Sequence, residues 1–217
     1  MRLVLASNNA KKLAELRTLF SPLGFDWLSC AELGITEPSE PHRTFIENAL
    51  VKARHAARHA ACAAIADDSG LCVHALGGAP GVDSANYASI VVPEGEGEGE
   101  GEREREAQRR AQDEANNHLL LERLRDVSDR RAHFVSTLIA LRSADDPEPL
   151  VAVGRWQGEI LHAPRGSGGF GYDPLVFIPA LGLSVAELGA EVKNRQSHRA
   201  IAAQGMLLAM RESWNLA

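Results

Sequence analysis

Two adjacent carboxylates, followed by a hydroxyl and a glycine, are the residues of this sequence best suited to chemistry. They form the segment Asp67-Asp68-Ser69-Gly70, directly after the small apolar run of residues 60–66. Because Asp, Ser and Gly favour turns, we expect a buried element that ends in a tight acidic turn. Neighbouring carboxylates repel each other, and a cation or a shared proton usually offsets that repulsion. Mg²⁺ is commonly bound by one or two carboxylates together with substrate phosphates, so the segment indicates either phosphate chemistry or an ordinary acidic turn.

A second set of candidate residues lies where a short strand meets a helix. Residues 3–6 are apolar, and residues 11–20 carry apolar side chains at spacings of three and four, which predicts a helix. A capped helix start with free N–H groups and nearby lysines attracts phosphate. A plain capped helix with surface lysines would give the same pattern, since the glycines of a P-loop are missing. The residues at this junction are Ser7, Asn8, Asn9, Ala10, Lys11 and Lys12.

A glycine-rich segment at residues 166–174 could bind a nucleobase. Its glycines would let the backbone approach a ligand closely, while Phe170 and Tyr172 offer stacking faces and Asp173 offers a hydrogen-bond acceptor. The alternative is a glycine-rich loop whose aromatic side chains fill the core. Composition alone does not separate these two interpretations.

Positive side chains cluster near the C-terminus, at the predicted start of the last helix. Ser197 is a natural helix cap, and Lys193, His198 and Arg199 lie around it. Cations at a helix N-terminus oppose the helix dipole, so an anion or an electron-rich base oxygen is expected beside them. Screening of three exposed cations by solvent would also relieve the repulsion.

The remaining segments predict an α/β fold. Thr44 and Glu47 fit a capping box, with Glu47 reaching back to the Thr44 N–H, and the helix that follows is expected to end near Ala61. Helical and strand-like segments alternate along the rest of the chain, which indicates a mixed sheet flanked by helices. The further strands are expected at residues 71–76, 132–141 and 150–156, and the further helix at residues 107–125.

Composition indicates a globular protein of the cytoplasm. The chain has 217 residues, 45% of them hydrophobic, which is enough for a sizeable core. Its three cysteines, Cys30, Cys62 and Cys72, show no C-x-x-C spacing, so neither a disulfide framework nor a zinc site is indicated. No targeting segment or membrane span is expected, because no apolar run is long enough.

The charge distribution argues against a nucleic-acid partner. Residues 94–106 contain seven Glu and two Arg, which supply −5 of the formal net charge of −6. No basic face remains in the rest of the sequence to bind nucleic acid. The acidic stretch alternates Glu with Gly or Arg and contains no apolar residue, so we expect a flexible, solvated insertion.

Six segments, in this order, resemble the non-canonical purine nucleoside triphosphate pyrophosphatases, a family of enzymes that act on inosine and xanthosine triphosphates. Each match is short, but six ordered matches over nearly the whole chain are specific. The segments are Leu5-Ala6-Ser7-Asn8-Asn9; Thr44-Phe45-Ile46-Glu47-Asn48-Ala49 with Lys52-Ala53; Ala66-Asp67-Asp68-Ser69-Gly70-Leu71; Gly78-Ala79-Pro80-Gly81-Val82; Gly168-Gly169-Phe170-Gly171-Tyr172-Asp173-Pro174; and Ser197-His198-Arg199. One difference is that Lys11 stands where the family usually has glycine.

The resemblance implies a single pyrophosphatase domain over residues 1–217, with two lobes, a long mixed β-sheet and a nucleotide cleft between the lobes. It implies a homodimer that uses Mg²⁺ to cleave the α–β phosphate bond, releasing a nucleoside monophosphate and pyrophosphate. Asp68 matches the proton acceptor and metal ligand, Asp67 would assist it, and Glu40 is the nearest match to a second acidic ligand. The substrate-binding positions carried over are Ser7, Asn8, Asn9, Ala10, Lys11, Lys12, Lys52, Ser69, Phe170, Gly171, Tyr172, Asp173, Lys193, His198 and Arg199.

Other functions remain open at this stage. A related pyrophosphatase could act on modified pyrimidine or ordinary nucleotides, and a nucleotide sensor could bind without turnover. Two adjacent carboxylates beside phosphates argue against a sensor, because binding alone would not need them.

Overall fold

The computed structural model describes residues 2–7, 9–90 and 102–215. The chain divides into two compact units. The first comprises Met1–Ser69, Val135–Trp156 and Ala190–Ala217, and the second comprises Gly70–Phe134 and Gln157–Gly189. Asn8 and residues 94–101 of the expected acidic insertion lie outside the described residues.

The described strands form one mixed sheet, as the sequence predicts. Their order is β2-β1-β3-β4-β5-β6-β7. β1 pairs in parallel with β2 and with β3, whereas β6 pairs antiparallel with β5 and β7. The strands are β1 (Arg2–Leu5), β2 (Asp26–Ser29), β3 (Ala63–Val73), β4 (Arg131–Leu141), β5 (Leu150–Ile160), β6 (Val176–Ile178) and β7 (Leu183–Ser184).

Four of the α-helices of the described residues lie close to their predicted positions, whereas α4 (Ala190–Gln196) was not predicted. The helices are α1 (Ala10–Phe20), α2 (Phe45–Ala60), α3 (Glu102–Arg123), α4 (Ala190–Gln196) and α5 (His198–Trp214). α3 begins five residues before its predicted start, so residues 102–106 of the acidic stretch are helical. Short 3-10 helices occur at Ser21–Leu23, His74–Leu76, Gly81–Asn86 and Val185–Glu187. Within the described residues, no helix is both long and apolar enough to cross a membrane.

The first unit has two apolar layers, one on each face of its strands. On one face, strand side chains such as Leu5 and Ile65 pack against Leu16 of α1 and Met206 of α5. On the other face, Val4, Ala64 and Ala66 pack against alanines of α2. The residues of α2 that face the strands are Ala49, Ala53, Ala56 and Ala57. Because these side chains are small, α2 can lie close to β3.

The acidic segment is part of a strand, so the expected tight turn at Asp67-Asp68-Ser69-Gly70 is wrong. β3 continues through these residues to Val73, and both of its faces are buried along almost its whole length. The separate strand expected at residues 71–76 is the end of β3 followed by a 3-10 helix. The tendency of these residue types to form turns is overridden here, because buried partners bond most of their polar side-chain atoms. At Gly70 an added Cβ would collide with the Gly81 carbonyl, which explains a glycine inside the strand.

Candidate active site

The side chains of Asp67 and Asp68 point to opposite faces of β3. Successive side chains of a strand alternate between the two faces of its sheet. Ile65 belongs to the layer under α1 and α5, and Ala66 belongs to the layer under α2. Asp67 therefore shares the face of Ile65, and Asp68 shares the face of Ala66. The strand backbone separates the two carboxylates, so each can have its own partners and its own protonation state.

Asp68 lies on the face of α2, beside a buried lysine. The Lys52 ammonium donates to Asp68 Oδ1 at 2.7 Å and to Glu40 Oε2 at 2.9 Å. Lys52 is 7% exposed although it is charged. Its burial lowers the pKa of Lys52, but Asp68 and Glu40 outweigh that effect and raise the pKa above its ordinary value. Lys52 is thus paired with both carboxylates at once.

The environment of Asp68 suits a proton acceptor. Burial raises the pKa of Asp68 to about 6, with Glu40 adding to the rise and the Lys52 ammonium opposing it. A general base works best when its pKa lies near the operating pH, because it is then ionised and still basic enough to take a proton. Asp68 meets that condition near neutral pH.

The same carboxylate has an oxygen that a divalent cation could bind. Asp68 Oδ2 is buried and has no hydrogen-bond partner within the part of the chain that the structure describes. Such an orphaned oxygen fits a metal ligand, and Glu40 shares Lys52 with it. Among the described residues, no group of three or more His, Cys, Asp or Glu side chains could hold a metal ion. Two carboxylates suit an ion such as Mg²⁺, which keeps water and binds substrate phosphates as its remaining ligands.

Asp67 accepts hydrogen bonds from several donors on the opposite face. The Ser136 hydroxyl donates to its Oδ1 at 2.6 Å, and the Ser69 hydroxyl donates to its Oδ2 at 2.9 Å. Arg199 Nε donates to Oδ2 at 3.3 Å, and the Lys12 ammonium lies 3.6 Å from the same oxygen. Burial alone would raise the pKa of Asp67, but Lys12, Arg199 and Ser136 together hold it well below its ordinary value. Asp67 therefore stays ionised and orders the cations around it.

Glu15, like Ser136, is a residue of this site that the sequence analysis missed. Arg199 Nη1 donates to Glu15 Oε2 at 2.7 Å, and Lys193 Nζ lies 3.5 Å from Glu15 Oε1. Arg199 is 5% exposed, and its Nη2 also donates to the Ser69 hydroxyl at 3.0 Å. Glu15 and Asp67 thus supply negative charge beside the cations at the start of α5. The spacing of Glu15 three residues after Lys12 on α1 was the available signal.

His198 is neutral at physiological pH. It is 6% exposed, and its burial lowers the pKa well below the ordinary value, with the neighbouring Arg199 charge adding to that effect. A neutral imidazole has one N–H donor and one acceptor nitrogen. Ser197 caps α5 as predicted, since its hydroxyl oxygen accepts from the Ala200 N–H at 3.2 Å.

Asn9 caps the start of α1. Its Oδ1 accepts from the N–H groups of Lys11 and Lys12 at 3.1 and 3.2 Å, and Ser7 Oγ accepts from the Asn9 N–H at 3.1 Å. These donors are already bonded, so the Lys12 ammonium, 3.6 Å from Asp67 Oδ2, is the group of this turn that could bind a phosphate. Lys11, like Ala10, is exposed, and its φ is outside the left-handed region, so a helix accepts lysine there without strain.

Thr44 begins α2 as predicted, although its partner differs in one detail. The Thr44 hydroxyl oxygen accepts from the Glu47 N–H at 3.3 Å. The Glu47 carboxylate accepts from the Thr44 hydroxyl, whereas the sequence analysis placed it on the Thr44 N–H. The cap starts α2 four residues after Glu40 and eight before Lys52.

The glycine-rich segment belongs to the second unit and is held by its own polar groups. Tyr172 is 5% exposed and donates its hydroxyl proton to the Ser84 carbonyl at 3.0 Å. Asp173 is also 5% exposed, and its Oδ2 accepts from the Phe170 N–H at 3.1 Å. Gly171, with a φ of 60°, lies between the two aromatic residues. Phe170 is half-buried, so it is the aromatic ring of this segment with surface left for a ligand.

The predicted site residues therefore fall into two groups. One group lies in the first unit, around Asp68 and Asp67 on the two faces of β3, and the other forms one loop of the second unit. The first group is Ser7, Asn9, Lys12, Glu40, Lys52, Asp67, Asp68, Ser69, Lys193, His198 and Arg199, and the second is Phe170, Gly171, Tyr172 and Asp173.

Comparisons with known proteins agree over nearly the whole chain. A sequence model of the Ham1 family matches residues 3–209. A dITP/XTP pyrophosphatase of Methylibium petroleiphilum is 65% identical over 214 residues, which are 99% of each chain. A dITP/XTP pyrophosphatase of Leptothrix cholodnii is 61% identical over 217 residues, which are 100% of each chain.

Solved structures give the same result for the fold. The structure of a HAM1 protein from Coxiella burnetii is similar, with a TM-score of 0.83 and 37% identity, covering 98% of this chain and 100% of that one. The Ham1 protein of Staphylococcus aureus has a TM-score of 0.78 and 34% identity, covering 99% of this chain and 100% of that one.

Proposed function

This chain belongs to the Ham1 family, and we propose that it hydrolyses non-canonical purine nucleoside triphosphates. The substrates are inosine, deoxyinosine and xanthosine triphosphates, and the products are the nucleoside monophosphate and pyrophosphate. Relatives of 65% and 61% identity are named dITP/XTP pyrophosphatases. The observation that carries the proposal is Asp68, a buried carboxylate with one oxygen bonded to Lys52 and the other free. Removing such triphosphates would cleanse the nucleotide pool.

Lysines of the first unit would bind the triphosphate. The ammonium groups of Lys12 and Lys52 now face Asp67 and Asp68, with 3.6 and 2.7 Å between the charged atoms. When a triphosphate binds beside these carboxylates, its oxygens would contact the ammonium groups of Lys12 and Lys52, which the carboxylates already orient. Because the cations are oriented before the substrate binds, little reorganisation is needed when charge develops during the reaction.

Asp68 would accept the proton of the attacking water. Without a bound cation its pKa is raised to about 6, and a cation on its other oxygen would lower that pKa, so the carboxylate is ionised and able to accept a proton at neutral pH in either case. We propose that the water attacks the α-phosphorus, so that the α–β bond breaks and pyrophosphate leaves. Asp67 does not take part in proton transfer, since its pKa is held low, and instead keeps Lys12 and Arg199 in position.

Asp68 and Glu40 would hold Mg²⁺. When bound, the ion would neutralise phosphate charge and make the attacking water more acidic. The free oxygen of Asp68 and the two-carboxylate donor set support this assignment. Since the protein offers few ligands, we expect the ion to bind tightly only together with the nucleotide.

Donors near the start of α5 would recognise the oxygen of a 6-oxo purine. Lys193 offers an ammonium group and neutral His198 offers one N–H, whereas Arg199 is already bonded to Asp67, Glu15 and Ser69. Adenine would present an amino group to these donors, which is unfavourable. Guanine shares the 6-oxo group, so its exclusion must depend on its 2-amino group being left unpaired or in a clash.

Phe170 is the residue of the glycine-rich segment that we assign to stacking on the base. Its ring is half-buried, while Tyr172 and Asp173 are occupied in holding the segment. Aromatic rings stack on bases without needing hydrogen bonds, which leaves discrimination to the polar donors.

The test is product analysis with purified protein, Mg²⁺ and four triphosphates in separate reactions. Monophosphate and pyrophosphate from inosine and xanthosine triphosphates, with little from guanosine and adenosine triphosphates, would support the proposal. Diphosphate and phosphate would refute the bond assignment. Binding without products would instead favour a nucleotide sensor. Asp68→Asn should abolish turnover and keep nucleotide binding measurable, and unchanged turnover would refute the mechanism.

We also propose that the protein acts in the cytoplasm as a homodimer. No disulfide joins the cysteines Cys30, Cys62 and Cys72, all of which lie within the described residues, and this agrees with a reducing compartment. The dimer is proposed from the family resemblance. Light scattering of the purified protein tests it, and a monomer mass at working concentrations would refute it.

A further inference from the structure

Helix α3 presents a row of polar side chains to two loops of the second unit. Gln112, Asp113, Asn116 and Asn117 are spaced so that they share one face of the helix. They bond backbone groups of residues 84–88 and of Gly171. None of these four residues belongs to the motifs that indicated the function.

Two of these side chains hold both backbone groups of Gly171. The Gly171 N–H donates to Asp113 Oδ2 at 2.8 Å, and Asn117 Nδ2 donates to the Gly171 carbonyl at 3.0 Å. Gly171 has a φ of 60°, a conformation that glycine adopts without strain. Asp113 and Asn117 are one helical turn apart, so a rigid element fixes the orientation of this peptide unit.

The other two side chains hold the neighbouring loop in the same way. Asn116 is 2% exposed; its Nδ2 donates to the Ala85 carbonyl at 3.0 Å, and its Oδ1 accepts from the Ala88 N–H at 2.8 Å. Gln112 Nε2 donates to the Ala88 carbonyl at 2.7 Å. The Tyr172 hydroxyl then joins the two loops by donating to the Ser84 carbonyl at 3.0 Å.

These bonds help to fix where the Phe170 ring lies. Residues 166–174 include no strand or α-helix, and backbone bonds hold the ends of the segment at Gly168 and Pro174, so its centre at Gly171 depends on the two side chains of α3. Phe170 and Tyr172 flank Gly171, so a rotation of the Gly171 peptide would move both rings. We call the bonds of Asp113 and Asn117 to Gly171 the clamp. Each of these bonds supplies a partner for a backbone group of Gly171, and loss of either bond would allow the Gly171 peptide to rotate.

We infer that Asp113 and Asn117 are positioning residues that set discrimination among purine bases by holding Gly171 between Phe170 and Tyr172. This inference rests on the proposed function. The bonds described for Asp113 and Asn117 are to Gly171, whereas those described for Asp67 and Asp68 are to Ser136, Ser69, Arg199 and Lys52. The chemistry of phosphate cleavage should therefore continue when the clamp is weakened, while recognition of the base suffers.

Two substitutions of nearly the same size test the inference. Asn117→Asp removes the donor to the Gly171 carbonyl and places a carboxylate oxygen against it. Asp113→Asn retains an acceptor oxygen for the Gly171 N–H. Asn117→Asp adds one negative charge, whereas Asp113→Asn removes one. Glu114→Gln, at an exposed neighbouring position of α3, also removes one negative charge and is the charge-matched control for Asp113→Asn. Asn117→Ser removes the donor without adding charge and controls for the charge of Asn117→Asp.

The measurement is steady-state kinetics with inosine and guanosine triphosphates, together with thermal unfolding. For Asn117→Asp we expect the ratio of kcat/KM between the two substrates to fall about tenfold, through KM, with kcat for inosine triphosphate nearly unchanged. Asp113→Asn and Glu114→Gln should keep the wild-type ratio. A folded Asn117→Asp protein with the wild-type ratio would overturn the inference, as would an equal fall of the ratio in Glu114→Gln.

The kinetics of the wild-type protein separate failure of the proposed function from failure of the inference. Wild type that hydrolyses neither triphosphate would refute the proposed function itself. Wild type that discriminates, beside an Asn117→Asp protein that discriminates equally, would refute only the inference. If Asn117→Asp does not fold, Asn117→Ser decides by the same ratio, because it shortens the side chain without adding charge.

Discussion

Replacing Asp68 with Asn should make the metal-free protein more stable at neutral pH, although it should abolish turnover. In the wild type, burial raises the pKa of Asp68 to about 6 from an ordinary value of 3.8, against the attraction of Lys52. This rise corresponds to about 3 kcal/mol, by which the ionised carboxylate destabilises the folded state. An amide at this position cannot ionise and avoids that cost, while Lys52 keeps Glu40 as a partner.

The effect has a defined pH window. Because the folded pKa of Asp68 exceeds the unfolded one, the stability linked to its protonated form is present below about pH 4 and is lost as the pH rises through about 6. Asp67 follows the opposite rule, since its pKa is lowered: the stability it contributes is lost only in strong acid. The difference between wild type and Asp68→Asn therefore reports on Asp68 and should nearly vanish at about pH 4.

Urea denaturation in the presence of a chelator measures the free energy of unfolding of wild type and variant at about pH 8 and at about pH 4. We expect Asp68→Asn to gain up to about 3 kcal/mol at the higher pH. Adding Mg²⁺ should then stabilise the wild type more than the variant, because the ion binds the folded state through Asp68. A variant less stable than wild type at about pH 8 would show that attraction by Lys52 exceeds the cost of burial, which would refute the reasoning.

Three further substitutions test other parts of the site. Ser136→Ala removes a buried donor 2.6 Å from Asp67 and should lower the free energy of unfolding by about 2 kcal/mol, measured with urea; a loss within error would mean that Asp67 does not need this bond. Glu15→Gln leaves Arg199 and Lys193 without one shared negative charge, and should lower kcat/KM for inosine triphosphate about tenfold in enzyme assays; unchanged kinetics would remove Glu15 from the site. Gly169→Ala places a Cβ against the Asp173 carboxylate at a φ of 78° and should lower the unfolding free energy by about 2 kcal/mol, whereas Gly189→Ala, which meets no atom within 4 Å, should change little; equal calorimetric melting temperatures for the two would contradict this account.

Local interactions made some elements predictable from the sequence. Thr44 and Ser197 start their helices as expected, because a capping side chain bonds a backbone group only three residues away. The mixed character of the sheet was predicted from the order of helices and strands, whereas the short strands β2, β6 and β7 were not predicted.

Long-range contacts explain what the sequence analysis did not predict. Glu15 and Arg199 bond although they are 184 residues apart in the chain, and no local pattern indicates such a pair. Residues 67–70 have turn-forming types but lie in β3, because Ser136 and Lys52 satisfy the polar side chains inside the sheet. Strand preference depends on such neighbours more than on residue type.

The alternation of β3 has a consequence for how this strand can change during evolution or engineering. A shift of the strand by one residue moves every side chain to the opposite face. Deleting one residue before Asp67 would place Asp68 where Asp67 now meets Ser136, and would leave Lys52 without its carboxylate. A two-residue deletion would keep Asp68 on its face but would move it about 6.6 Å along the strand, away from Lys52. An insertion or deletion before Asp67 is therefore compatible with the site only if a second, compensating change restores the register.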